Sequence, residues 1–252
     1  MNKILIYITF VTFLLTFNSS ASTEELIVGA GQAPTANILK PIEEHFEKAT
    51  GIDLVIITRS PKDALMLLEA GTVEAALGGL SFEDWMKYMK QEEEEIKDPS
   101  GLWHMSVGED KIKVLIHKDN PVSKLTKEQL KGIFNGKITS WNELGGEDIP
   151  IAVVWTKNLG GNVIFTKKIL DIPLLRKDMS EVEDSQFAKA LVKSNPGAIA
   201  ISPLGIIDDT IKSPETPEIK RPITIITQGE PSPNVQKLIN FIRGEGQKYI
   251  KQ

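Results

Sequence analysis

Three short segments, each between a predicted strand and a predicted helix, combine glycine, threonine, serine and asparagine in a way that suits anion binding. They span residues 31–35, 58–62 and 156–162. The start of a helix leaves backbone N–H groups unpaired and carries a partial positive charge, so it attracts anions. The residues predicted to contact such a ligand are Thr35, Ser60, Thr156, Gly160, Gly161 and Asn162. Taken singly, each segment is more typical of an ordinary connecting turn with a capping residue.

The sequence lacks the residue patterns of common enzyme centres. The three histidines, His45, His104 and His117, fall on separate predicted elements and have no spacing suited to a metal. The glycines at 29 and 31 lack the third glycine of a dinucleotide-binding motif, and there is no nucleophile elbow or P-loop. There is also no cysteine, which excludes disulfides and thiol nucleophiles. The sequence therefore predicts no catalytic residue, no metal and no cofactor, and we expect a protein that is not an enzyme.

Composition and the first residues predict a secreted globular protein. The chain has 252 residues, of which 41% are hydrophobic and 25% charged, with a formal net charge of −5. No basic run indicates nucleic-acid binding. Residues 1–21 are typical of a cleaved signal peptide, with Lys3, an apolar run over 4–17 and small residues at 19–21. The alternative is a membrane anchor, but a span needs about 20 apolar residues. The predicted location is the periplasm.

Strands and helices alternate along the rest of the sequence. Apolar runs predict strands at 25–30, 54–58, 73–77, 111–117, 149–155, 198–202 and 223–227. Helical patterns lie between them, and several have clear start signals: Ser60-Pro61, Ser81, and the capping boxes Thr126/Gln129 and Ser140/Glu143. This alternation predicts an α/β fold with parallel or mixed sheets covered by helices.

The middle of the chain carries a longer and more specific pattern. Residues 113–155 read KVLIHKDNPVSKLTKEQLKGIFNGKITSWNELGGEDIPIAVVW, and residues 194–203 read SNPGAIAISP. Together these segments resemble the phosphate-binding periplasmic proteins of ABC transporters. The resemblance implies a two-lobed type II periplasmic-binding-protein fold, in which each lobe is a mixed sheet flanked by helices. It also implies a monomer that captures a small oxyanion, phosphate or a related ion, and that has an ABC permease in the inner membrane as its partner.

The resemblance also implies where the lobes and hinges lie in the sequence. Lobe 1 is assigned to residues 22–112 and 203–252, and lobe 2 to residues 113–202. The hinges are placed near Ile112–His117 and Ile199–Pro203. The three polar segments should then line the crevice between the lobes, because ligands of α/β folds bind at the carboxyl ends of the strands.

Two charged residues of the resembled family's ligand site are missing from this sequence. Gly79 stands where that family has an aspartate that accepts a proton from hydrogen phosphate, and the third segment lacks the family's arginine. A buried carboxylate rejects fully ionised anions, so its absence should remove that discrimination. We therefore expect neutral donors and weak or altered selectivity. Arg59, Lys62 and Lys157 are the candidate sources of positive charge.

A second interpretation keeps the fold but gives up ligand capture. The protein would then be a ligand-degenerate relative acting as a sensory or scaffold protein that binds another protein. This interpretation predicts an exposed apolar patch around Trp103, Trp141 or Trp155, because large exposed apolar patches mark interaction surfaces.

Overall fold

The structure, a computed structural model, describes residues 24–93, 96, 98–157, 159–171 and 176–251. The predicted signal peptide, residues 1–21, lies outside the described residues. Within those ranges, no helix has both the length and the apolar character needed to cross a bilayer.

The strands in the described part of the chain join in one nine-stranded sheet. In chain order they are β1 Glu24–Ala30, β2 Ile52–Thr58, β3 Ala75–Gly78, β4 Leu102–His117, β5 Ala152–Thr156, β6 Ser180–Val182, β7 Ala198–Pro203, β8 Ile211–Lys212 and β9 Ile219–Gln228. The predicted strands are all present, but β4 and β9 begin earlier than the sequence indicates.

Helices connect most of these strands. They are α1 Gln32–Pro34, α2 Lys40–Thr50, α3 Pro61–Glu69, α4 Phe82–Gln91, α5 Lys127–Phe134, α6 Gly161–Phe165, α7 Ser185–Ser194 and α8 Pro233–Arg243. Single π-helical turns, Thr35–Leu39 and Thr166–Leu170, follow α1 and α6, and 3₁₀ turns occur at Pro99–Gly101, Trp141–Leu144, Leu204–Ile206 and Glu245–Lys248. The predicted helix starts are confirmed: Ser60 and Ser81 cap α3 and α4, and both capping boxes form.

The order of strands across the sheet is β2-β1-β3-β9-β4-β7-β5-β6, and β8 also pairs with β4. Pairs toward the two ends are parallel: β1 with β2 and β3, and β5 with β6 and β7. Pairs at the centre are antiparallel: β9 with β3 and β4, and β4 with β7. The sheet is therefore mixed, and its two parallel ends are joined by long antiparallel strands.

The apolar core divides into two halves, which define the lobes. Lobe 1 has one cluster on each face of the β1–β3 end, around Phe46 and Trp85. Lobe 2 has one on each face of the β5–β7 end, and Phe134 lies in the larger of the two. Strand β9 contributes to both lobes, with Ile225 in lobe 1 and Ile219 in lobe 2.

Strands β4 and β9 thus form the two connections between the lobes. Strand β7, where the sequence places a hinge, packs Ile199 and Ile201 into lobe 2. The division of the chain at residues 112 and 203 remains a prediction.

Strand β4 contains an irregularity where it passes from one lobe to the other. Its register against β9 shifts between Ser106 and Gly108, which is the mark of a β-bulge. Val107 packs into the core of lobe 1, whereas Ile112 packs into the core of lobe 2. Inward-facing residues are therefore odd-numbered before the bulge and even-numbered after it, and Asp110 lies on the inward side.

Candidate functional site

The loop between β5 and α6 brings lobe 2 against lobe 1. A Cβ atom placed on Gly160 would lie 3.2 Å from Pro61 Cγ and 3.9 Å from Leu80 Cγ, both in lobe 1. A second contact joins the lobes nearby, where the Ser185 backbone N–H donates to Gln32 Oε1 at 2.7 Å. The carboxyl ends of strands from both lobes therefore meet at one junction, as expected for a ligand crevice in an α/β fold.

Two polar side chains on the lobe 2 side of this junction have unused hydrogen-bonding atoms. Thr156 is fully buried at the end of β5, and its hydroxyl oxygen has no partner in the described structure. Asn162 donates from Nδ2 to the Thr156 carbonyl at 2.9 Å, while its Oδ1 is buried without a partner. Buried polar atoms in proteins are normally satisfied. These two atoms are therefore available to a ligand or to water.

A buried arginine occupies the centre of the junction. Arg221 on β9 lies directly opposite Asp110 on β4, and the two side chains are 2% and 0% exposed. Arg221 Nε donates to Asp110 Oδ2 at 2.7 Å, and Nη2 lies 2.6 Å from the same oxygen. The third guanidinium nitrogen, Nη1, is buried and has no partner in the described structure. One charged donor therefore remains free to bind an acceptor.

Asp110 is held from the other side as well. Asn37, buried in the π-helical turn of lobe 1, donates from Nδ2 to Asp110 Oδ1 at 2.7 Å. The Asn37 Oδ1 atom in turn accepts from the Gly205 backbone N–H at 2.7 Å. Both carboxylate oxygens of Asp110 are thus engaged, so Asp110 fixes the arginine and does not itself face the junction as a free acceptor.

Glycines at two positions pack closely against the guanidinium. A Cβ on Gly79 would lie 2.7 Å from Arg221 Cζ and 2.9 Å from its Nε. A Cβ on Gly160 would lie 3.1 Å from Arg221 Nη1. The guanidinium therefore fills the space that a side chain at position 79 would take, with a glycine of each lobe against it. Gly161, next to this contact, is itself packed against Ile112, with its added Cβ 3.2 Å from Cδ1.

The other two predicted residues, Thr35 and Ser60, have different surroundings. The hydroxyl groups of Thr35 and Thr58 lie 3.3 Å apart and line a cavity of about 530 Å³ between the lobes. The same cavity is lined by Gln32, Ala36, Lys40, Pro41, Asp184, Gln186, Gly205, Ile206 and Lys251. Ser60 Oγ accepts from the Asp63 N–H and donates to its carboxylate. The structure thus groups Thr156, Gly160, Gly161 and Asn162 around one junction, with Thr35 in the cavity and Ser60 engaged as a cap.

The cations suggested by the sequence do not approach this junction as free charges. Arg59 is exposed and donates from Nη1 to the Thr58 carbonyl at 2.9 Å. Lys62 Nζ lies 3.7 Å from a carboxylate oxygen of Glu92. Lys157 Nζ lies 3.5 Å from both Glu181 and Glu183; the charges of Glu183 and then Glu181 raise the pKa of Lys157. Arg221, which lies outside the three predicted loops, is the arginine that reaches the junction.

The tryptophans do not form the exposed patch that the second interpretation requires. Trp141 is fully buried, and its indole N–H donates to the Gly197 carbonyl at 2.9 Å. Trp103 packs against the core of lobe 1 and Trp155 against that of lobe 2. The surface feature that would favour a scaffold role over ligand capture is therefore not formed by these three residues.

The sequence did contain a signal for the buried pair. Along β9 the inward positions are Ile219, Arg221, Ile223 and Ile225, so an arginine stands in an apolar series of period two. Along β4, Asp110 similarly precedes the buried Ile112, Val114 and Ile116. Opposite charges at inward-facing positions of two strands indicate a buried ion pair, because isolated charges are rarely buried.

Comparison with known sequences supports the same family. The chain matches the family model described as the PBP superfamily domain over residues 18–210. It is 29% identical over 198 residues to the phosphate-binding protein PstS of Bacillus subtilis, which covers 76% of this chain and 63% of that protein. PstS of Staphylococcus epidermidis is 28% identical over 138 residues, covering 53% of this chain and 39% of that protein. The chain thus spans less than two thirds of the length of these relatives.

Solved structures share the fold at low sequence identity. A Clostridium perfringens protein, described as a phosphate ABC transporter substrate-binding protein and solved with bound phosphate, superposes with a TM-score of 0.76. Its identity is 22%, and the match covers 91% of this chain and 100% of that chain. An ABC-type phosphate transport receptor from Vibrio cholerae has a TM-score of 0.60 at 20% identity, covering 91% and 100%. The predicted two-lobed α/β fold of type II periplasmic binding proteins is confirmed, and this chain belongs to the PBP superfamily.

Proposed function

We propose that this protein is a solute-binding protein that captures a small oxyanion, phosphate or a related ion, between its two lobes. The observation that carries the proposal is the junction at Gly160, where a loop of lobe 2 meets Pro61 and Leu80 of lobe 1. Beside it, Thr156 and Asn162 each hold a buried polar atom without a partner. Apolar contact between lobes together with a few convergent polar groups is the usual composition of a small-molecule site.

The predicted contacts remain Thr35, Ser60, Thr156, Gly160, Gly161 and Asn162. Thr156 and Asn162 are the strongest of these on geometry, because their unpaired atoms lie on the loop that touches lobe 1. Phosphate is the first ligand to test, because the Bacillus subtilis and Staphylococcus relatives are phosphate-binding proteins by name.

The same proposal includes a partner, a mechanism and a location. Closure of the lobes about β4 and β9 would enclose the ion, in the manner of hinge-bending binding proteins. The closed form would be presented to an ABC permease of the inner membrane by a monomer exported to the periplasm. Binding and delivery require no bond making or breaking, so this function is not enzymatic.

Titration calorimetry on protein stripped of ligand by unfolding and refolding tests the proposal. Phosphate, arsenate and sulfate are titrated separately, with chloride as the control for ionic strength. We expect saturable one-to-one binding of at least one oxyanion and none of chloride. No saturable heat with any of the three oxyanions at millimolar concentration would refute ligand capture and would favour the sensory or scaffold role.

A further inference from the structure

We infer that Arg221 supplies the positively charged contact to the bound anion, and that the site accepts tetrahedral oxyanions whether or not they carry a proton. This inference rests on the proposed function and goes further, because it names a residue on a crossing strand, outside all three predicted loops. It also specifies that the protonation state of the ion does not decide whether the ion binds.

The buried guanidinium of Arg221 has one unpaired nitrogen. Arg221 is 3% exposed, and two of its guanidinium nitrogens contact Asp110. Its Nη1 carries two further N–H donors and has no partner in the described structure. Leaving a charged donor unsatisfied in a buried site costs more than leaving a neutral one. An anion at Nη1 would remove this cost and gain a charge-assisted hydrogen bond.

The guanidinium of Arg221 lies between the two lobes. Nη1 faces Gly160 of lobe 2, and the rest of the guanidinium faces Gly79 of lobe 1. The Gly160 loop also carries Asn162, which is bonded to Thr156. An anion held at Nη1 would therefore meet the unpaired Thr156 hydroxyl and the Asn162 side chain on one loop while contacting both lobes. Because such an ion contacts both lobes, its binding would favour closure of the lobes.

The residues around the guanidinium determine which charge and protonation state of the ion the site accepts. Asp110 balances the charge of Arg221, and both of its oxygens are occupied, by Arg221 and by Asn37. No carboxylate stands at position 79, where the guanidinium leaves no room for a side chain. The acceptors that remain, on Thr156 and Asn162, are neutral and do not repel a fully ionised oxyanion as a carboxylate would. Among the described residues, the unpartnered groups beside Arg221 therefore give no basis for rejecting sulfate in favour of phosphate.

The decisive experiment compares neutral exchanges of two arginine–aspartate pairs. The double variant Asp110→Asn/Arg221→Gln removes the guanidinium while leaving amide partners that can still hydrogen-bond to each other. We expect phosphate and sulfate affinities to fall by about 10- to 100-fold, the equivalent of one charge-assisted hydrogen bond. The matched control is Arg176→Gln/Asp178→Asn, the same exchange at a pair in lobe 2 whose aspartate is exposed, which should leave both affinities unchanged.

A single substitution distinguishes a binding role from a structural one. Asp110→Asn removes the compensating negative charge but keeps Arg221, so oxyanion binding should become several-fold tighter. A purely structural pair predicts weaker binding in both the single and the double variant. If the double variant does not fold, Arg221→Lys decides the matter: it keeps a cation beside Asp110 but removes Nη1, and a tenfold or greater loss of affinity is expected.

The outcomes separate the two proposals. If the wild type binds an oxyanion and both Asp110→Asn/Arg221→Gln and Arg221→Lys bind it equally well, the role of Arg221 is overturned while ligand capture stands. If the wild type binds no oxyanion, both ligand capture and the role of Arg221 in binding are refuted. Phosphate and sulfate should bind within about tenfold of each other, since no more than a modest difference in hydrogen bonding separates them. A preference for phosphate of 100-fold or more would overturn the claim about protonation.

Discussion

Two arginine–aspartate pairs in this protein have almost the same nitrogen–oxygen distances but different surroundings. In the crossing strands, Arg221 Nε and Nη2 lie 2.7 and 2.6 Å from Asp110. In lobe 2, Arg176 Nε lies 2.7 Å from Asp178 Oδ1, and Nη2 lies 2.6 Å from Oδ2. The aspartate side chain is 0% exposed in the first pair and 69% exposed in the second. Distances alone therefore do not distinguish the two pairs, but burial does.

The comparison shows what burial adds to an ion pair. Water competes for Asp178 and screens its charge, so a pair of this kind contributes little to stability. Neither member of the Arg221–Asp110 pair has access to water, so each depends on the other and on Asn37. Burying the pair has a desolvation cost that the attraction repays only in part. A protein gains from such a pair mainly through what it positions, here the free Nη1 of Arg221.

The largest expected effect comes from removing one member of the buried pair. Asp110→Ala leaves the guanidinium without its counter-charge, and we expect a loss of about 3–5 kcal/mol in the free energy of unfolding. Asp178→Ala, the matching change on the surface, should barely move the urea midpoint. Urea unfolding at neutral pH, followed by circular dichroism, measures both. Equal shifts for the two variants would contradict the distinction drawn from burial.

A smaller effect is expected from the glycine that makes room for the buried arginine. Gly79→Ala places a methyl group 2.7 Å from Arg221 Cζ, and overpacking of this kind costs about 1–3 kcal/mol. Gly31→Ala is the control, because its added Cβ would have no neighbour closer than 3.7 Å. The two variants are compared by urea unfolding. A Gly79→Ala protein as stable as the control would mean that the guanidinium can shift without loss.

The smallest effect is a pH dependence confined to the surface pair. Hydrogen bonds from Arg176 lower the pKa of Asp178 to about 2. Because the folded pKa lies below the ordinary aspartate value of 3.8, the contribution of Asp178 is present above about pH 4 and is lost as the pH falls toward 2. Asp178→Asn should therefore lower the urea midpoint slightly at pH 5 and leave it nearly unchanged at pH 2. A difference that is independent of pH would contradict this assignment.

The residues of the third loop could be predicted because they are close together in sequence. Thr156, Gly160 and Asn162 belong to one strand–helix connection, and their grouping follows from local chain geometry. The same holds for the capping boxes at Thr126 and Ser140, in which each residue reaches only three positions along the chain. Interactions of this range depend on residue type and spacing, which the sequence states directly.

The buried ion pair at the centre of the junction could not be predicted from residues that are close together in sequence. Arg221 and Asp110 are 111 positions apart, and their contact depends on the register between β9 and β4. The predicted strands 223–227 and 111–117 both begin just beyond these residues, because a charge at an inward position looks like the end of a strand. Tertiary pairing extended both strands across the lobes and overrode this local preference.

The bulge at Val107 limits how the lobes of this protein could be recombined with those of a relative. Side chains alternate along a strand, so the loss of one residue turns every later side chain to the opposite face. A chimera that lost one residue beyond the bulge, between Gly108 and Asp110, would direct Lys111 inward and Asp110 outward, whereas loss of Val107 itself would only remove the bulge. Splice points for exchanging lobes should therefore conserve the residue count through this stretch.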